Sequence, residues 1–118
     1  MEAFRFEKLN AYQYARKLVK DVYEVLKSFP DEEKFGLTSQ IRRAVVSVPS
    51  NIADGCGRMS NNEQRHFFEI SYGSLMEVYC QLTLAVDLGY ITESQITEVR
   101  ELMTVCAKVI SGLRNSVN

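Results

Sequence analysis

The sequence predicts an all-α protein, an antiparallel up-and-down four-helix bundle that forms a single domain over residues 1–118. Apolar residues recur at steps of three and four in four successive segments, as they do on one side of a helix with about 3.6 residues per turn. Mostly short links join these segments, and no segment carries a strand signal of comparable strength. With 118 residues, of which 46% are hydrophobic and 25% charged, the chain is large enough for one core.

The first helix is predicted from Glu7 to Phe29. Charged residues occupy the positions between its apolar ones, so one side faces the core. Pro30 ends this helix, because the residue before a proline is driven out of the helical conformation. The predicted core side consists of Ala11, Ala15, Leu18, Val22, Val25 and Phe29, with Tyr12, Val19 and Leu26 beside them.

The second helix is predicted in the segment TSQIRRAVVSVPSNIADGCGR, residues 38–58, and it contains a proline. Pro49 removes the hydrogen bond to the carbonyl of Val45 and crowds that turn, at a cost of roughly 3 kcal/mol. The apolar residues nevertheless stay in phase across the proline, so we expect one helix kinked at Pro49 rather than two helices. Gly55 and Gly57 are expected to cap its end in a left-handed conformation. The apolar positions are Leu37, Ile41, Val45, Val48 and Ile52.

The third helix is predicted to begin after Ser60, whose spacing from Glu63 is that of a capping box, and to stop at Gly89. Gly73 is a poor helix former inside it, which indicates a close crossing with the second helix. The expected core side consists of Phe68, Tyr72, Leu75, Tyr79, Leu82 and Val86, helped by Met76, Val78 and Ala85.

The fourth helix is predicted to begin with a second capping box, formed by Thr92 and Gln95. Its apolar residues alternate at steps of three and four, as in a coiled-coil seam. They are Ile96, Val99, Met103, Cys106, Ile110, Leu113 and Val117.

Charge and composition exclude several functional classes. The net charge of −1 lies well below the basic balance expected of a dedicated nucleic-acid binder. No apolar run approaches a membrane span and the start lacks a signal peptide, so we expect a cytoplasmic protein without a membrane partner. Cys56, Cys80 and Cys106 are odd in number and form no CxxC pair, so they are expected to be buried, reduced thiols.

The segments QIRRAVVSVPSNIADGCGR, GSLMEVYCQLTLAVDLGYI and VISGLRNSV closely resemble the bacterial four helix bundle protein family, which comprises the 23S rRNA intervening-sequence proteins. Accessory proteins of diversity-generating retroelements are related to this family. The resemblance implies a bundle that assembles as a ring-like homopentamer. For the retroelement branch it also implies a basic surface that binds nucleic acid and a reverse transcriptase. The most specific part of the resemblance is the pattern of Arg42, Arg43, Ser47, Pro49, Asn51, Ile52 and Gly55.

Five cationic side chains of the second and third helices are candidates for a phosphate-binding patch: Arg42, Arg43, Arg58, Arg65 and His66. Such a patch positions phosphates without reading bases. Arg16, Lys17 and Lys20 extend it if the first helix lies alongside. The alternative is that these side chains are solvated or paired with carboxylates, within the chain or between subunits.

Polar residues around the proline form a second candidate set: Ser47, Pro49, Ser50, Asn51 and Asp54. In one interpretation the serines bond carbonyls freed by the proline, and the other side chains brace a neighbouring helix. In the other interpretation, the set lines a subunit contact or the central pore of a ring.

No catalytic or metal-binding set is predicted. Glu63 and His66 have the ExxH spacing of a di-iron bundle site, but that site needs a second ExxH and His66 is the only histidine. We therefore expect a non-enzymatic, homo-oligomeric assembly or binding module without cofactors, whose further partner is RNA or an RNA-associated protein. The alternative is a nucleic-acid-binding accessory protein that contacts RNA through arginines of the second and third helices.

Overall fold

The computed structural model describes residues 3–118 and contains four α-helices. Helix α1 spans Asn10–Leu26, α2 spans Leu37–Cys56, α3 spans Asn61–Asp87 and α4 spans Glu93–Asn115. Short 3-10 helices lie at Arg5–Lys8 and Asp31–Glu33, and no strand occurs in this described part of the chain. The predicted all-α class is confirmed.

The four helices form a bundle in which consecutive helices are neighbours and α4 returns to pack on α1. Helix α3 packs against α2 and α4, and the most extensive contact in the molecule is the one between α2 and α3. Short connections between consecutive helices make them antiparallel. The predicted four-helix bundle is therefore confirmed, with overall dimensions of 43 × 27 × 24 Å.

One hydrophobic core draws on all four helices. On α1 the core positions are those predicted, except that Leu26 is buried and Val25 is only partly buried. Helix α2 is a single helix through Pro49, as predicted, and the bend at the proline stays a prediction. The residues of α2 and α4 with no or almost no exposure are Ile41, Val45, Val48, Ile52, Ile96, Met103, Cys106 and Ile110.

Helix α3 is rotated about its axis relative to the prediction. Tyr72, Met76 and Tyr79, which were expected on the core side, are 38%, 42% and 42% exposed, whereas Ser71, which was not expected there, is fully buried. Val78 and Ala85 are fully buried, as predicted. The reason for the rotation is a hydrogen bond between helices, since Ser71 Oγ donates to the backbone carbonyl of Val48 at 2.7 Å. A small hydroxyl side chain therefore takes the place against α2 that the pattern had given to a tyrosine.

The close crossing of α2 and α3 lies at Gly55 and not at Gly73. A Cβ atom on Gly55 would lie 2.6 Å from Cε1 and 2.9 Å from Cδ1 of the Phe68 ring, so only a glycine fits there. Gly73 faces solvent, and a Cβ atom there would meet no atom within 4 Å. The prediction for Gly73 was wrong because glycine composition alone does not say which side of a helix is crossed.

The predicted glycine caps of α2 and α3 are confirmed only in part. Gly57 follows α2 with φ −85°, so the left-handed cap expected there is wrong, and Gly55 lies inside the helix. Gly89 has φ +79° and ends α3 as predicted, with the Tyr90 N–H donating to the Ala85 carbonyl at 3.0 Å.

The two predicted capping boxes differ in completeness. The Thr92 hydroxyl accepts from the Gln95 N–H at 3.3 Å, and the Gln95 side-chain oxygen accepts from the Thr92 N–H at 2.8 Å, so this box is complete. At the start of α3, Ser60 accepts from the Glu63 N–H at 3.1 Å. The Glu63 carboxylate, however, contacts the Ser60 hydroxyl instead of its backbone N–H, so only half of that box forms.

A carboxylate ties the start of α2 to the turn between α3 and α4. Glu33 Oε1 accepts from the Leu37 N–H at 3.0 Å, and Glu33 Oε2 accepts from the Tyr90 hydroxyl at 2.7 Å. Gly36 leaves room for this carboxylate, because a Cβ atom there would lie 2.6 Å from Oε1. The bond from Leu37, and after it the bond from Tyr90, hold the pKa of Glu33 below its ordinary value of 4.5.

The crossing predicts opposite effects for two glycine substitutions. Gly55→Ala should lower the free energy of unfolding by about 1–3 kcal/mol, because its methyl group overlaps the Phe68 ring. Gly73→Ala, on the exposed side of α3, should raise it by roughly 0.5–1 kcal/mol, since alanine is the better helix former. Urea denaturation followed by circular dichroism measures both. Equal effects of the two substitutions would contradict the placement of the crossing.

The Glu33 contacts predict a stability that depends on pH. A carboxyl group whose pKa is lowered by folding stabilises the protein above its unfolded pKa, and this contribution is lost as the pH falls through the folded pKa. Glu33→Gln should therefore lower the melting temperature at pH 7, and the difference from the parent should shrink below the ordinary value of 4.5. The exposed neighbour Glu32 serves as the control, as Glu32→Gln. A difference for Glu33→Gln that stays constant from neutral to acidic pH would refute this role.

Candidate functional site

The predicted cationic residues fall into two separate groups. Arg42 and Arg43 lie in the first half of α2, whereas Arg58, Arg65 and His66 lie where α2 gives way to α3. The rise of an α-helix separates Arg42 from Arg58 by about 24 Å along the bundle. The structure therefore does not join the five side chains into one patch.

The second group is engaged in local contacts. The guanidinium of Arg58 lies 4.1 Å from the centre of the Phe67 ring, and the ring of His66 meets Phe67 edge-on at 5.6 Å. Arg65 donates to the backbone carbonyl of Val117 at 3.0 Å and also bonds the side chain of Asn62. Arg58 and Arg65 thus hold the loop and the C-terminus against the start of α3.

The first group lines a groove between α1 and α2, which we call the arginine groove. It consists of two adjoining depressions that share Val46 and Ser50. Arg16 of α1 joins Arg42 and Arg43 here, while Lys17 turns to Asp21 at 2.9 Å. The lining residues are Phe6, Tyr12, Arg16, Val19, Tyr23, Arg42, Arg43, Val46, Ser47, Pro49, Ser50 and Ala53.

The arginine groove is cationic and mostly apolar. Arg16 lies 5.9 Å from the centre of the Tyr12 ring, and Arg42 lies 5.7 Å from that of Tyr23, so both guanidinium groups rest on aromatic faces. In residues 3–118 no carboxylate forms an ion pair with Arg16, Arg42 or Arg43. Of the residues from 3 to 118, none that lines the groove is acidic. Its three positive charges are therefore available to an outside partner.

The polar residues around the proline divide between two sides of α2. Ser47 and Asn51 face α3, where the hydroxyls of Ser47 and Ser74 are 2.8 Å apart and Asn51 Nδ2 donates to the Ser47 carbonyl at 2.8 Å and to its hydroxyl at 2.7 Å. Pro49 and Ser50 line the arginine groove, and Ser47 lines it as well. This arrangement favours the local, bracing interpretation for Ser47 and Asn51. Asp54 is exposed and makes no side-chain hydrogen bond within residues 3–118.

The outer side of α3 and the residue that follows it carry six exposed apolar side chains, which we call the α3 ridge; with about 3.6 residues per turn, Tyr72, Met76 and Tyr79 share one flank of this side. These side chains are 37–58% exposed. Between residues 67 and 88, α3 has no Lys, Arg or His, and its charged residues are Glu69, Glu77 and Asp87. The ridge was missed in the sequence because Tyr72, Met76 and Tyr79 were placed on the core side. The available signal was that apolar residues of α3 occur on more than one side of the helix. The ridge consists of Ile70, Tyr72, Met76, Tyr79, Leu84 and Leu88.

The thiols differ from one another in exposure. Cys106 is buried, Cys56 is partly buried and Cys80 is exposed on α3, so the expectation of three buried thiols is wrong for Cys80. Burial raises the pKa of Cys106 to about 11 and also raises the pKa of Cys56. Within residues 3–118, no group of three His, Cys, Asp or Glu side chains is placed to hold a metal ion. None of the described helices is both long and apolar enough to cross a bilayer.

Comparison with known proteins identifies a family and solved structures of the same fold. The model of the family described as 23S rRNA-intervening sequence protein matches residues 7–112. A crystal structure of a protein with unknown function from the S23 ribosomal protein family of Bacteroides thetaiotaomicron superposes with a TM-score of 0.80 at 20% identity, over 88% of this chain and 97% of the other. That likeness shows a shared fold. No curated protein matches this chain.

The contacts of Asn51 predict a local role. Asn51→Leu should lower the free energy of unfolding by about 1 kcal/mol, because it removes both bonds to Ser47. Its mass in solution, measured by light scattering, should stay that of the parent. Asp54→Leu is the matched control on the same helix and should change stability by less than about 0.5 kcal/mol. A change of mass for Asn51→Leu would favour the subunit-contact interpretation instead.

Proposed function

The chain belongs to the 23S rRNA-intervening sequence protein family, and on this premise we propose that it is a non-enzymatic, homo-oligomeric helical bundle that serves as an assembly or binding module. The assembly we propose is the pentameric ring that the family resemblance implies. Its own copies are the first partner in this proposal, and RNA or an RNA-associated protein is the second. Unpaired thiols fit a cytoplasmic location, where they stay reduced.

The observation that carries the proposal is the α3 ridge. It places six large apolar side chains, each 37–58% exposed, along one helix of an isolated subunit. Three of them, Tyr72, Met76 and Tyr79, lie on one flank of the helix at steps of four and three, and such clustered apolar surface favours an interaction site, because burying it against a partner removes it from water. Scattered single apolar residues would need no such explanation.

The absence of catalysis is part of the proposal. Nucleophilic catalysis needs a nucleophile beside a base that a third group orients. The single histidine, His66, contacts the Phe67 ring, and burial raises the pKa of Cys106 and Cys56 away from the reactive thiolate form. These properties fit a protein that functions by binding other molecules rather than by catalysis.

The proposal predicts the mass of the protein in solution. Light scattering at micromolar concentration should give five times the subunit mass of 13.5 kDa. Introducing Lys in place of Met76 on the ridge should lower that mass, whereas Lys in place of the equally apolar but remote Met59, which is 97% exposed, should leave it unchanged. A parent protein that scatters as a single subunit would remove the oligomer from the account.

A second candidate function is RNA binding, which the arginine groove favours. Arg16, Arg42 and Arg43 form no ion pair with a carboxylate of residues 3–118, and such arginines bind phosphates. Affinity for structured RNA should fall steeply with salt, and removing Arg42 and Arg43 should reduce the slope by about one unit per lost phosphate contact. Arg114→Ala, whose arginine pairs with Glu69, is the control. No binding at low salt would end this candidate.

A further inference from the structure

We propose that the depression at the turn from α1 to α2 binds inorganic phosphate that carries a proton. This depression, which we call the turn pocket, lies away from the α3 ridge and needs no second copy of the chain, so the inference goes beyond the proposed function. Its volume of about 270 Å³ is below the roughly 300–1,000 Å³ of pockets for drug-sized ligands, so it suits a small ion. Its polar lining residues are Lys27, Asp31, Lys34, Thr38 and Arg42.

A buried hydroxyl in the turn pocket has no hydrogen-bond partner. Thr38 is 6% exposed, and its Oγ1 makes no hydrogen bond within residues 3–118. Thr83, Thr97 and Thr104 of α3 and α4 each donate to the carbonyl four residues earlier, at 3.0, 2.9 and 3.1 Å. The missing bond is therefore particular to Thr38. Buried polar atoms of native proteins find a partner in nearly every case, in the protein, in water or in a bound ion.

The first turn of α2 supplies backbone donors at the same place. Leu37 begins the helix, and its N–H donates to Glu33 Oε1 at 3.0 Å. The next two N–H groups, those of Thr38 and Ser39, donate to no acceptor within residues 3–118. Free N–H groups and the positive end of the helix dipole favour an anion at a helix start. Because a helical threonine has two favoured χ1 rotamers, the Thr38 hydroxyl is free to turn toward such an anion.

The cations of the turn pocket outnumber its carboxylate. Lys34 and Arg42 each lie 5.7 Å from the centre of an aromatic ring, and neither forms an ion pair within residues 3–118. Lys27 is paired with Glu24 at 2.9 Å on the exposed side of α1. Two unpaired cations therefore line the pocket with one carboxylate, Asp31. Charge-assisted hydrogen bonds from such cations are the strong ones in phosphate recognition.

Asp31 determines which anion fits. An ionised carboxylate only accepts hydrogen bonds, so it repels sulfate, which has no proton at neutral pH. Inorganic phosphate keeps at least one proton at neutral pH. It donates this O–H to Asp31 while its other oxygens accept from Thr38, Lys34 and Arg42. The phosphodiesters of an RNA backbone lack the proton, so the same carboxylate disfavours RNA in the turn pocket.

The Thr38 hydroxyl gives the first test. Thr38→Val replaces it with a methyl group of the same shape, so in phosphate-free buffer the melting temperature should stay the same or rise. Phosphate should raise the melting temperature of the parent, because a ligand that binds only the folded state stabilises it. Isothermal titration calorimetry should show an affinity for phosphate that is roughly tenfold lower in Thr38→Val. Thr104→Val, whose hydroxyl bonds its own helix, is the matched control and should keep the parent affinity.

The choice of anion gives the second test. Sulfate and dimethyl phosphate, a diester, should bind the parent at least about tenfold more weakly than inorganic phosphate at the same ionic strength. Asp31→Asn replaces the carboxylate with an amide that donates as well as accepts. This variant should bind sulfate about as tightly as phosphate.

A pair of cation variants separates the turn pocket from the arginine groove. Lys34 lines the pocket alone and Arg43 lines the groove alone, whereas Arg42 lines both. Lys34→Gln should lower the affinity for phosphate several-fold, and Arg43→Gln should leave it unchanged. Lys108→Gln, an exposed change on α4, controls for the loss of one positive charge.

Three results would overturn the inference. The first is a parent protein whose melting temperature responds to phosphate no more than to sodium chloride of the same ionic strength. The second is equal affinity of the parent for phosphate and sulfate, and the third is an unchanged phosphate affinity in Thr38→Val. These measurements do not depend on the mass of the protein in solution, so the proposed oligomer is tested separately.

Discussion

The crossing of α2 over α3 is the constraint on which the rest of the structure depends. Gly55 has no side chain, so the Phe68 ring packs directly on its backbone. Further along α3, the Ser71 hydroxyl donates a hydrogen bond to the Val48 carbonyl of α2. Further along, the hydroxyls of Ser47 and Ser74 meet. These contacts fix the distance between the two helices and the rotation of α3 about its axis.

That rotation determines which surface the protein offers to others. With Ser71 turned inward, Tyr72 and Met76 cannot reach the core, and they remain on the outside with the rest of the α3 ridge. An isolated subunit would leave this apolar surface in water, which is costly and promotes association. This exposed side of α3 is the observation behind the proposed oligomer.

The sequence was sufficient to predict the fold class, because apolar residues that recur at steps of three and four predict a helix without reference to the neighbouring helices. It was also sufficient for the core sides of α1, α2 and α4, because each of these helices has an apolar side opposite a side that carries charged residues. It failed on α3, where both sides are apolar and only the fit against α2 decides between Tyr72 and Ser71. For the same reason it could not tell that Gly55 is the crossing or that Gly73 faces solvent, and it placed Arg16 with Arg42 only on the condition that the first helix lies alongside.

Oxidation of individual methionines tests the central claim most directly, because the chain contains an exposed and a buried methionine that serve as internal standards. Met59 is 97% exposed, Met103 is 2% exposed, and Met76 on the ridge is 42% exposed in the single subunit. Mass spectrometry after brief peroxide treatment gives the rate of sulfoxide formation at each position. We predict that Met76 of the assembled protein oxidises nearly as slowly as Met103, because a neighbouring copy covers it. A Met76 rate close to that of Met59 would contradict the burial of this side of α3 by a neighbouring copy.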